Sequence, residues 1–211
     1  MDQNVERLLN LINQLLDFRK AENKGFKLNP KEYNIGTIVH SVYKYFTTLA
    51  KQRGIKFEVE VPEEELLASV DKEALTKILS NLFANALKYA RTYVYLHLSV
   101  DEKNEVFTIS MSNDGNIVPI EMRENIFKAF VQYRDGKDIV SGTGIGLAMA
   151  RYLAELHQGM LVMDRELDCN RFILSIPILH QTLPDDSEEQ HKKPGYDNCL
   201  LYTSPSPRDC S

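Results

Sequence analysis

Residues 70–90, VDKEALTKILSNLFANALKYA, carry the pattern that decides the fold. Asp71 stands just before the periodic stretch, where an acidic side chain can cap free backbone N–H groups. Projected on a helix at about 100° per residue, the main apolar residues share one face. These residues are Leu75, Ile78, Leu79, Leu82 and Ala86. The pattern predicts a long helix that begins after Asp71 and packs against a core.

A polar stripe lies on another face of the same helix and consists of Lys77, Asn81, Asn85 and Lys88. Asn is a mediocre helix former because its side chain competes for backbone hydrogen bonds. Such a stripe can simply be a polar face exposed to solvent. It can also be a binding site, in which the amide oxygens bind a hard cation and Lys88 contacts phosphate oxygens. Mg²⁺ keeps several waters and takes few protein ligands, so one or two amide oxygens suffice.

The segments around this helix alternate between helices and strands. Residues 35–52 are typical of a helix, GIKFEVEVP of a strand, and TYVYLHLSV and EVFTISMSN of a hairpin joined by DEKN. Residues 113–143 predict a long loop with a short helix at 120–129, after which a glycine loop opens a helix that runs to residue 157. GMLVMDR and RFILSIPIL predict a closing strand pair. This order favours a mixed sheet with helices on one face, an α/β (α+β) two-layer sandwich.

The glycine loop, SGTGIGLAMA at residues 141–150, places Gly142, Gly144 and Gly146 at alternate positions before a helix. Such a loop lets backbone N–H groups converge on an anion, and the helix adds its positive end. The chain contains no GxxxxGK[ST] motif, and the loop does not follow the first strand of a βαβ unit. P-loop and Rossmann sites are therefore excluded.

Two further motifs lie between the helix and the glycine loop. SNDGNIVP, residues 112–119, follows a strand, and an oxygen of Asn113 or Asp114 can accept a hydrogen bond from an adenine amino group. The same N-D-G triplet is also common as a plain turn. NIFKAF, residues 125–130, offers Phe127 and Phe130, which are typical of a small satellite core.

Composition excludes several classes of protein. The formal net charge of −5 provides no basic surface for nucleic acid. No apolar run approaches the ~20 residues of a membrane span. Cys169, Cys199 and Cys210 show neither disulfide-framework nor zinc spacing, which favours a reducing, cytoplasmic setting.

The two ends of the chain differ from its middle. VERLLNLINQLLDFRK, residues 5–20, predicts an amphipathic helix with two apolar seams, which suits a four-helix bundle; a terminal helix packed on its own domain is the alternative. Residues 181–211 are polar, rich in Pro and Ser and without period, so we expect disorder there. Their last stretch, CLLYTSPSPRDCS, is similar to translated adapter sequence and is left out of the fold.

In chain order, NLFANALKY, NDG, IFKAF and GTGIGLA resemble the N, G1, F and G2 boxes of the ATP-binding domain of sensor histidine kinases. The resemblance implies a Bergerat-type fold with a mixed sheet over residues 30–180. Residues 1–25 resemble the second helix of the family's dimerisation hairpin, and residues 181–211 form a tail. The sequence of this N-terminal segment is especially similar to that of hybrid two-component sensors of Bacteroidetes.

The resemblance also implies roles for single residues. Asn85 would be the principal Mg²⁺ ligand with Asn81 beside it, Lys88 would contact phosphate, and Tyr89 would lie near the adenine or ribose. Asn113 stands where the family's adenine-reading Asp is found, so a neutral amide replaces a carboxylate. Residues 116–141 would form a lid. The full implied ATP-binding set is Asn81, Asn85, Lys88, Tyr89, Asn113, Asp114, Gly115, Phe127, Phe130, Gly142, Thr143, Gly144, Ile145, Gly146 and Leu147.

The function implied is that of a protein-histidine kinase. The chain would bind Mg-ATP and donate the γ-phosphoryl group to a histidine in two-component phosphorelay signalling. The resemblance also implies a homodimer formed through the hairpin helix and a response-regulator receiver domain as partner. It implies a cytoplasmic position in a membrane-anchored sensor. None of the five histidines, which are His40, His97, His157, His180 and His191, has the context of the phosphoacceptor. We therefore expect ATP binding without autophosphorylation and no catalytic histidine within this chain.

Two alternatives remain open at this point. One is another ATPase of the same superfamily, but such enzymes carry a glutamate base in this helix where Asn81 stands here. The other is a degenerate, non-catalytic binding module with the same fold. Measurement of ATP affinity distinguishes the kinase domain from that module.

Overall fold

The computed structural model describes residues 27–103, 105–132, 143–164 and 169–178. The predicted N-terminal helix, the predicted tail, most of the second half of the implied lid and Gly142 lie outside these residues. The described elements follow in chain order: β1 Lys31–Asn34, α1 Ile35–Gln52, β2 Lys56–Glu60, β3 Leu67–Val70, α2 Lys72–Tyr89, β4 Tyr93–Asp101, β5 Val106–Asn113, α3 Gly146–Leu156, β6 Met160–Met163 and β7 Asn170–Pro177.

The main sheet has five strands in the order β2-β4-β5-β7-β6. β2 runs parallel to β4, and the other neighbours are antiparallel, so the predicted mixed sheet is confirmed. β1 and β3 form a separate antiparallel ribbon that the sequence does not predict. Each of these two strands is only four residues long, too short to show a clear alternation.

The core lies between this sheet and the three helices. Alternate residues of the central strands face the helices and are at most 3% exposed: Val94, Leu96, Leu98, Phe107, Ile109, Met111, Phe172, Leu174 and Ile176. The five apolar residues predicted for α2 are all fully buried. Burial of each such aliphatic side chain contributes roughly 1.5–3 kcal/mol. The predicted two-layer sandwich is confirmed.

The helices α2 and α3 are joined at one end through a histidine. His157 follows the last residue of α3 and is buried. Its Nε2 accepts a hydrogen bond from the Asp71 N–H at 3.1 Å, and its Nδ1 lies 2.7 Å from the Leu153 carbonyl oxygen. The start of α2 is therefore held against the end of α3.

The prediction of one helix at residues 120–129 is wrong. The segment contains two short 3₁₀ turns, Ile120–Met122 and Asn125–Phe127. The buried Arg123 lies between the turns, and its guanidinium donates to the Val118 carbonyl at 3.1 Å and to the Asp164 carbonyl at 2.5 Å. These bonds hold the Arg123 side chain in the interior between the two turns. Within each turn, the backbone N–H of residue i+3 donates to the carbonyl of residue i, as in a 3₁₀ helix.

Candidate functional site

Both ends of α2 are fixed, which sets the position of its polar stripe. At the start, Oδ1 of Asp71 accepts a hydrogen bond from the Ala74 N–H at 3.0 Å, and the predicted cap is confirmed. At the other end, the Arg53 guanidinium donates to the Leu87 carbonyl at 2.5 Å and to the Lys88 carbonyl at 3.4 Å. An arginine at this end also complements the helix dipole.

The stripe itself lies at the border between the core and solvent. Asn81 and Asn85 are half-buried and one turn apart. Lys88 is also half-buried, and its Nζ lies 4.7 Å from the ring centroid of Tyr89. Amide oxygens, an ammonium group and an aromatic ring therefore follow one another along the second half of α2.

α3 begins directly against this stripe. A Cβ built on Gly146, the first residue of α3, would lie 2.9 Å from Oδ1 of Asn81. A residue with a Cβ at this position would require the Asn81 side chain to shift. No side chain caps the start of α3, although Thr143 Oγ1 accepts from the Ile145 N–H at 3.2 Å. The positive end of α3 is thus placed beside Asn81.

A second glycine contact occurs at the end of α2. A Cβ on Gly115 would lie 2.3 Å from the carbonyl oxygen of Tyr89, so the loop after β5 rests on the helix backbone. Asn81 and Tyr89 are eight residues apart, which corresponds to about 12 Å along the helix axis. The last two turns of α2 therefore lie between the start of α3 and the Gly115 loop, and we refer to this stretch as the cleft.

Asn113 lies at the Gly115 end of the cleft and is only 2% exposed. It pairs with Asn170 across β5 and β7, and both lie on the helix-facing side of the sheet. Its Oδ1 accepts from the Gly115 N–H at 3.1 Å and from Nδ2 of Asn170 at 3.4 Å. Asn170 is a residue that the sequence reasoning missed, because a single Asn at a strand start shows no pattern.

Asp114 is directed away from Asn113, toward the turn before β4. Its carboxylate accepts from the backbone N–H groups of Arg91, Thr92 and Tyr93 and from the Thr92 hydroxyl. Desolvation raises the pKa of Asp114, but these hydrogen bonds outweigh it and lower the pKa from 3.8 to about 2. The carboxylate joins the loop to the turn, and its implied contact with ATP stays a prediction.

The two phenylalanines of the F motif have different surroundings. Phe127 is buried between Phe172, with ring centroids 6.2 Å apart, and the Arg151 guanidinium, 3.8 Å from its ring centroid. Phe127 belongs to the main hydrophobic core, so the prediction of a separate satellite core is wrong for this residue. Phe130 is 62% exposed, so the same prediction is wrong for Phe130. Arg151 was not foreseen, because one arginine in an amphipathic helix carries no signal of its own.

The reason for the exposure of Phe130 lies in its backbone. Phe130 has φ of +67°, and its N–H donates to the Gly144 carbonyl at 2.9 Å. Gly144 has φ of +73°, and a Cβ there would lie 2.8 Å from the backbone of Phe130. The glycine loop and the F motif are therefore paired through their backbones, which directs the Phe130 ring outward.

The donor set of this cleft fits magnesium and a triphosphate. Among the residues that the structure describes, no cluster of three or more His, Cys, Asp or Glu side chains could hold a metal. Oδ1 of Asn81 lies beside the uncapped start of α3. Asn85 follows one turn further along α2, and Lys88 follows one turn after Asn85. Neutral oxygens for a hard cation and an ammonium group for phosphate therefore follow one another along α2, next to the N–H groups at the start of α3.

A separate cavity of about 540 Å³ lies on the other face of the sheet. Its lining includes Lys56, Tyr93, Ser112 and Arg171, and it contains none of the predicted site residues. These side chains alternate with the core residues of their strands and so point away from α2. We assign no function to this cavity.

Comparison with known proteins agrees with this geometry. Residues 70–180 match the family described as Histidine kinase-, DNA gyrase B-, and HSP90-like ATPase, and the chain belongs to this family. "Histidine kinase P4" of Formosa agariphila is 28% identical over 190 residues, which are 88% of this chain and 14% of that protein. "Sensor histidine kinase WalK" of Bacillus subtilis is 28% identical over 163 residues, 76% of this chain and 26% of that protein. The chain thus spans about a quarter or less of these relatives.

Solved structures give the same result. A crystal structure of full-length ShkA in complex with AMPPNP has a TM-score of 0.72 and 26% identity, covering 81% of this chain and 36% of that one. The catalytic domain of the histidine kinase ThkA, in a nucleotide-free form, has a TM-score of 0.62 and 24% identity, covering 72% of this chain and 97% of that one. The fold is that of histidine-kinase catalytic domains. No helix in the described part of the chain is long and apolar enough to span a bilayer.

Proposed function

We propose that this chain binds Mg·ATP in the cleft above the last two turns of α2 and donates the γ-phosphoryl group to a histidine of a two-component phosphorelay. The observation that supports this most directly is the pair of glycine contacts. Gly146 rests on Asn81 and Gly115 rests on Tyr89, so the glycine loop and the G1 motif meet one helix from two sides. The family of the chain and its relatives agree with the proposal.

In this proposal each residue has a distinct part. Asn85, with Asn81 beside it, holds Mg²⁺, which when bound shares the charge of the phosphate oxygens. Lys88 moves from the Tyr89 ring to a phosphate oxygen. The N–H groups at the start of α3 bind the phosphates between the helix and Gly144. Phosphoryl transfer depends on positioning and charge neutralisation, which these groups supply.

The acceptor histidine must come from another segment or chain. His157 is buried, with both ring nitrogens engaged at the end of α3 that is remote from Gly146. His97 lies within β4, on the sheet face opposite the helices, with Nδ1 3.5 Å from Oε2 of Glu60. We therefore propose that the chain alone does not phosphorylate itself. Radiolabel from γ-labelled ATP on this chain alone would contradict that statement.

The proposed partners follow from the family rather than from contacts of this chain. A structure titled as ThkA in complex with the response regulator protein TrrA has a TM-score of 0.67 to this chain and 21% identity. By analogy we propose a response-regulator receiver domain as a partner, a homodimer formed through the N-terminal helix, and a place in the cytoplasmic part of a membrane-anchored sensor. Analytical ultracentrifugation with and without residues 1–26 tests the dimer.

Calorimetric titration with Mg·ATP tests the site itself. We expect micromolar binding that weakens about tenfold or more in Asn85→Ala, because a polar ligand contact is lost, and weakens likewise without magnesium. Asn29→Ala is the matched control, because within the described residues Asn29 makes a hydrogen bond only through its backbone N–H, to Asp71. A folded sample without measurable binding would refute the proposal and favour the non-catalytic module. Rapid ATP hydrolysis by the chain alone would favour another ATPase of the superfamily.

A further inference from the structure

Arg151 is a charged residue of α3 that has no part in the binding of Mg·ATP proposed above. Its side chain is 22% exposed, and its guanidinium carbon lies 3.8 Å from the ring centroid of Phe127. Its Nη1 lies 2.9 Å from Oε2 of Glu124, and its Nε donates to the Leu161 carbonyl at 3.0 Å. Three contacts of different kinds therefore fix this guanidinium, and two of them are made to the F motif and to the residue just before it.

The F motif is also joined to the glycine loop, at a place where both backbones have unusual conformations. Phe130 has φ of +67° and Gly144 has φ of +73°, and the Phe130 N–H donates to the Gly144 carbonyl at 2.9 Å. Glycine adopts such a φ freely, but in a bulky residue it costs free energy and persists only where the surroundings hold it. The Phe130 side chain is 62% exposed, so burial of its ring supplies little of that support.

The support comes from the residue three positions earlier in the F motif. The ring of Phe127 is buried between Phe172 on β7 and the guanidinium of Arg151. The F motif is thus attached to α3 at two places, by the Gly144 carbonyl just before the helix and by Arg151 within it. Without the attachment at Arg151, Phe130 could relax to a negative φ, which would turn its N–H away from Gly144.

This inference rests on the proposed function, because it concerns the phosphate end of the same cleft. We propose that Arg151 is a positioning residue for phosphate binding. Its guanidinium holds the F motif so that Phe130 keeps the glycine loop in the shape that receives the terminal phosphate. The residue acts through Phe127 and Phe130 and not by contact with the nucleotide. The start of α3 lies at the end of the cleft away from Gly115 and Tyr89, so a nucleotide with fewer phosphates depends less on the glycine loop.

The ratio of ATP affinity to ADP affinity tests the proposal, because loss of one phosphate shortens the nucleotide at the end that meets the glycine loop. Both nucleotides are titrated with magnesium into the full chain and into Arg151→Met. Methionine keeps an apolar stem against Phe127 but removes the cation. We expect ATP to bind about tenfold more weakly in this variant, and ADP about twofold more weakly at most, so the ratio should fall about fivefold.

A second substitution tests the route through Phe130. Asparagine adopts a positive φ more readily than phenylalanine, so Phe130→Asn relieves the strain that Arg151 is proposed to hold. In the Phe130→Asn background we therefore expect Arg151→Met to change the ratio of the two affinities by no more than about twofold. A merely structural role of Arg151 would not be suppressed in this way, because Phe130→Asn replaces none of its contacts.

Arg171→Met is the matched control, because Arg171 is also half-buried and also pairs with a carboxylate. Its Nη1 lies 3.3 Å from Oδ2 of Asp164, and its side chain lies on the sheet face opposite the helices. We expect Arg171→Met to leave the ratio of ATP affinity to ADP affinity unchanged, whatever its effect on the melting temperature.

The outcomes separate the inference from the function on which it rests. An unchanged ratio in Arg151→Met would overturn the inference and leave the proposed function intact, and so would an equal shift of the ratio in Arg171→Met. An undiminished effect of Arg151→Met in the Phe130→Asn background would overturn it too. Binding of neither nucleotide by the folded wild-type chain would overturn the proposed function and this inference together. If Arg151→Met does not fold, Arg151→Lys takes its place in the same comparison, since lysine keeps the charge but cannot lie flat on the ring of Phe127.

Discussion

Substitution of Gly146 by Ala should separate ligand binding from stability. The added Cβ would lie 2.9 Å from Oδ1 and 3.5 Å from Cγ of Asn81. The atoms it meets belong to the end of a side chain, which can rotate, whereas a backbone contact could not yield so easily. Within the described chain Asn81 forms no hydrogen bond that this rotation would break. The cost therefore falls on the position of the amide rather than on the fold.

The two contributions to stability nearly cancel. Holding the Asn81 side chain off its preferred rotamer costs about 0.5–1.5 kcal/mol. Ala in place of Gly in a helix gains up to about 1 kcal/mol, and less in the first turn, where Gly146 lies. The free energy of unfolding should then change by no more than about 1 kcal/mol, a Tm shift of roughly 2–4 °C at most. Loss of a well-placed amide contact, about 1 kcal/mol net, should weaken Mg·ATP binding about fivefold to tenfold.

A double-mutant cycle identifies the route of the effect. Thermal unfolding and calorimetric titration are carried out on wild type, Gly146→Ala, Asn81→Ala and the double variant. If the alanine acts by displacing Asn81, it should have no further effect on affinity once Asn81 has been removed. An equal loss of affinity in the Asn81→Ala background would refute this reasoning, because the glycine loop itself would then be the target.

Two other predictions concern the loop after β5. Gly115→Ala should lower the free energy of unfolding in urea by about 2–3 kcal/mol, because its Cβ would lie 2.3 Å from the backbone oxygen of Tyr89. Gly54→Ala is its control: φ there is +65° with no atom within 4 Å, so about 1 kcal/mol is expected, and equal losses would contradict the contact. Asp114, whose pKa is lowered from 3.8 to about 2, should stabilise the fold above about pH 4 and lose this effect as the pH falls to about 2. The stability difference between wild type and Asp114→Asn should shrink over that interval in acid titrations, and a constant difference would refute the assignment.

The sequence predicted those features of the fold that depend on the type of residue and its spacing along the chain. The apolar face of α2 and its cap at Asp71 follow from helical periodicity, and both are as predicted. The ribbon of β1 and β3 was not predicted, because strands of four residues are too short to show a clear alternation of apolar and polar residues. Phe130 was misjudged because its exposure depends on a positive φ and a backbone bond to Gly144, neither of which side-chain type reveals.

Within the site, the sequence indicated which residues meet but not how their polar atoms are shared. The asparagine stripe and the glycines were assigned to one site because the order of these motifs resembles that of the family. The engagement of the Asn113 oxygen by Gly115 and Asn170 could not, because Asn170 is 57 residues away and meets Asn113 only through strand register. Hydrogen-bond direction is a property of the folded arrangement, and pattern reasoning does not reach it.

The hydrogen bond between Asp71 and His157 holds the start of α2 next to the end of α3. The difference in length between the two helices then determines how much of α2 is left uncovered. α2 has 18 residues and α3 has 11, so from that shared end they extend about 27 Å and about 16 Å. The difference, roughly 10 Å, is the stretch of α2 that α3 leaves uncovered. One extra turn at the start of α3 would cover about half of it and place backbone against Asn85. The number of residues in α3 therefore determines the length of α2 that stays open to a ligand.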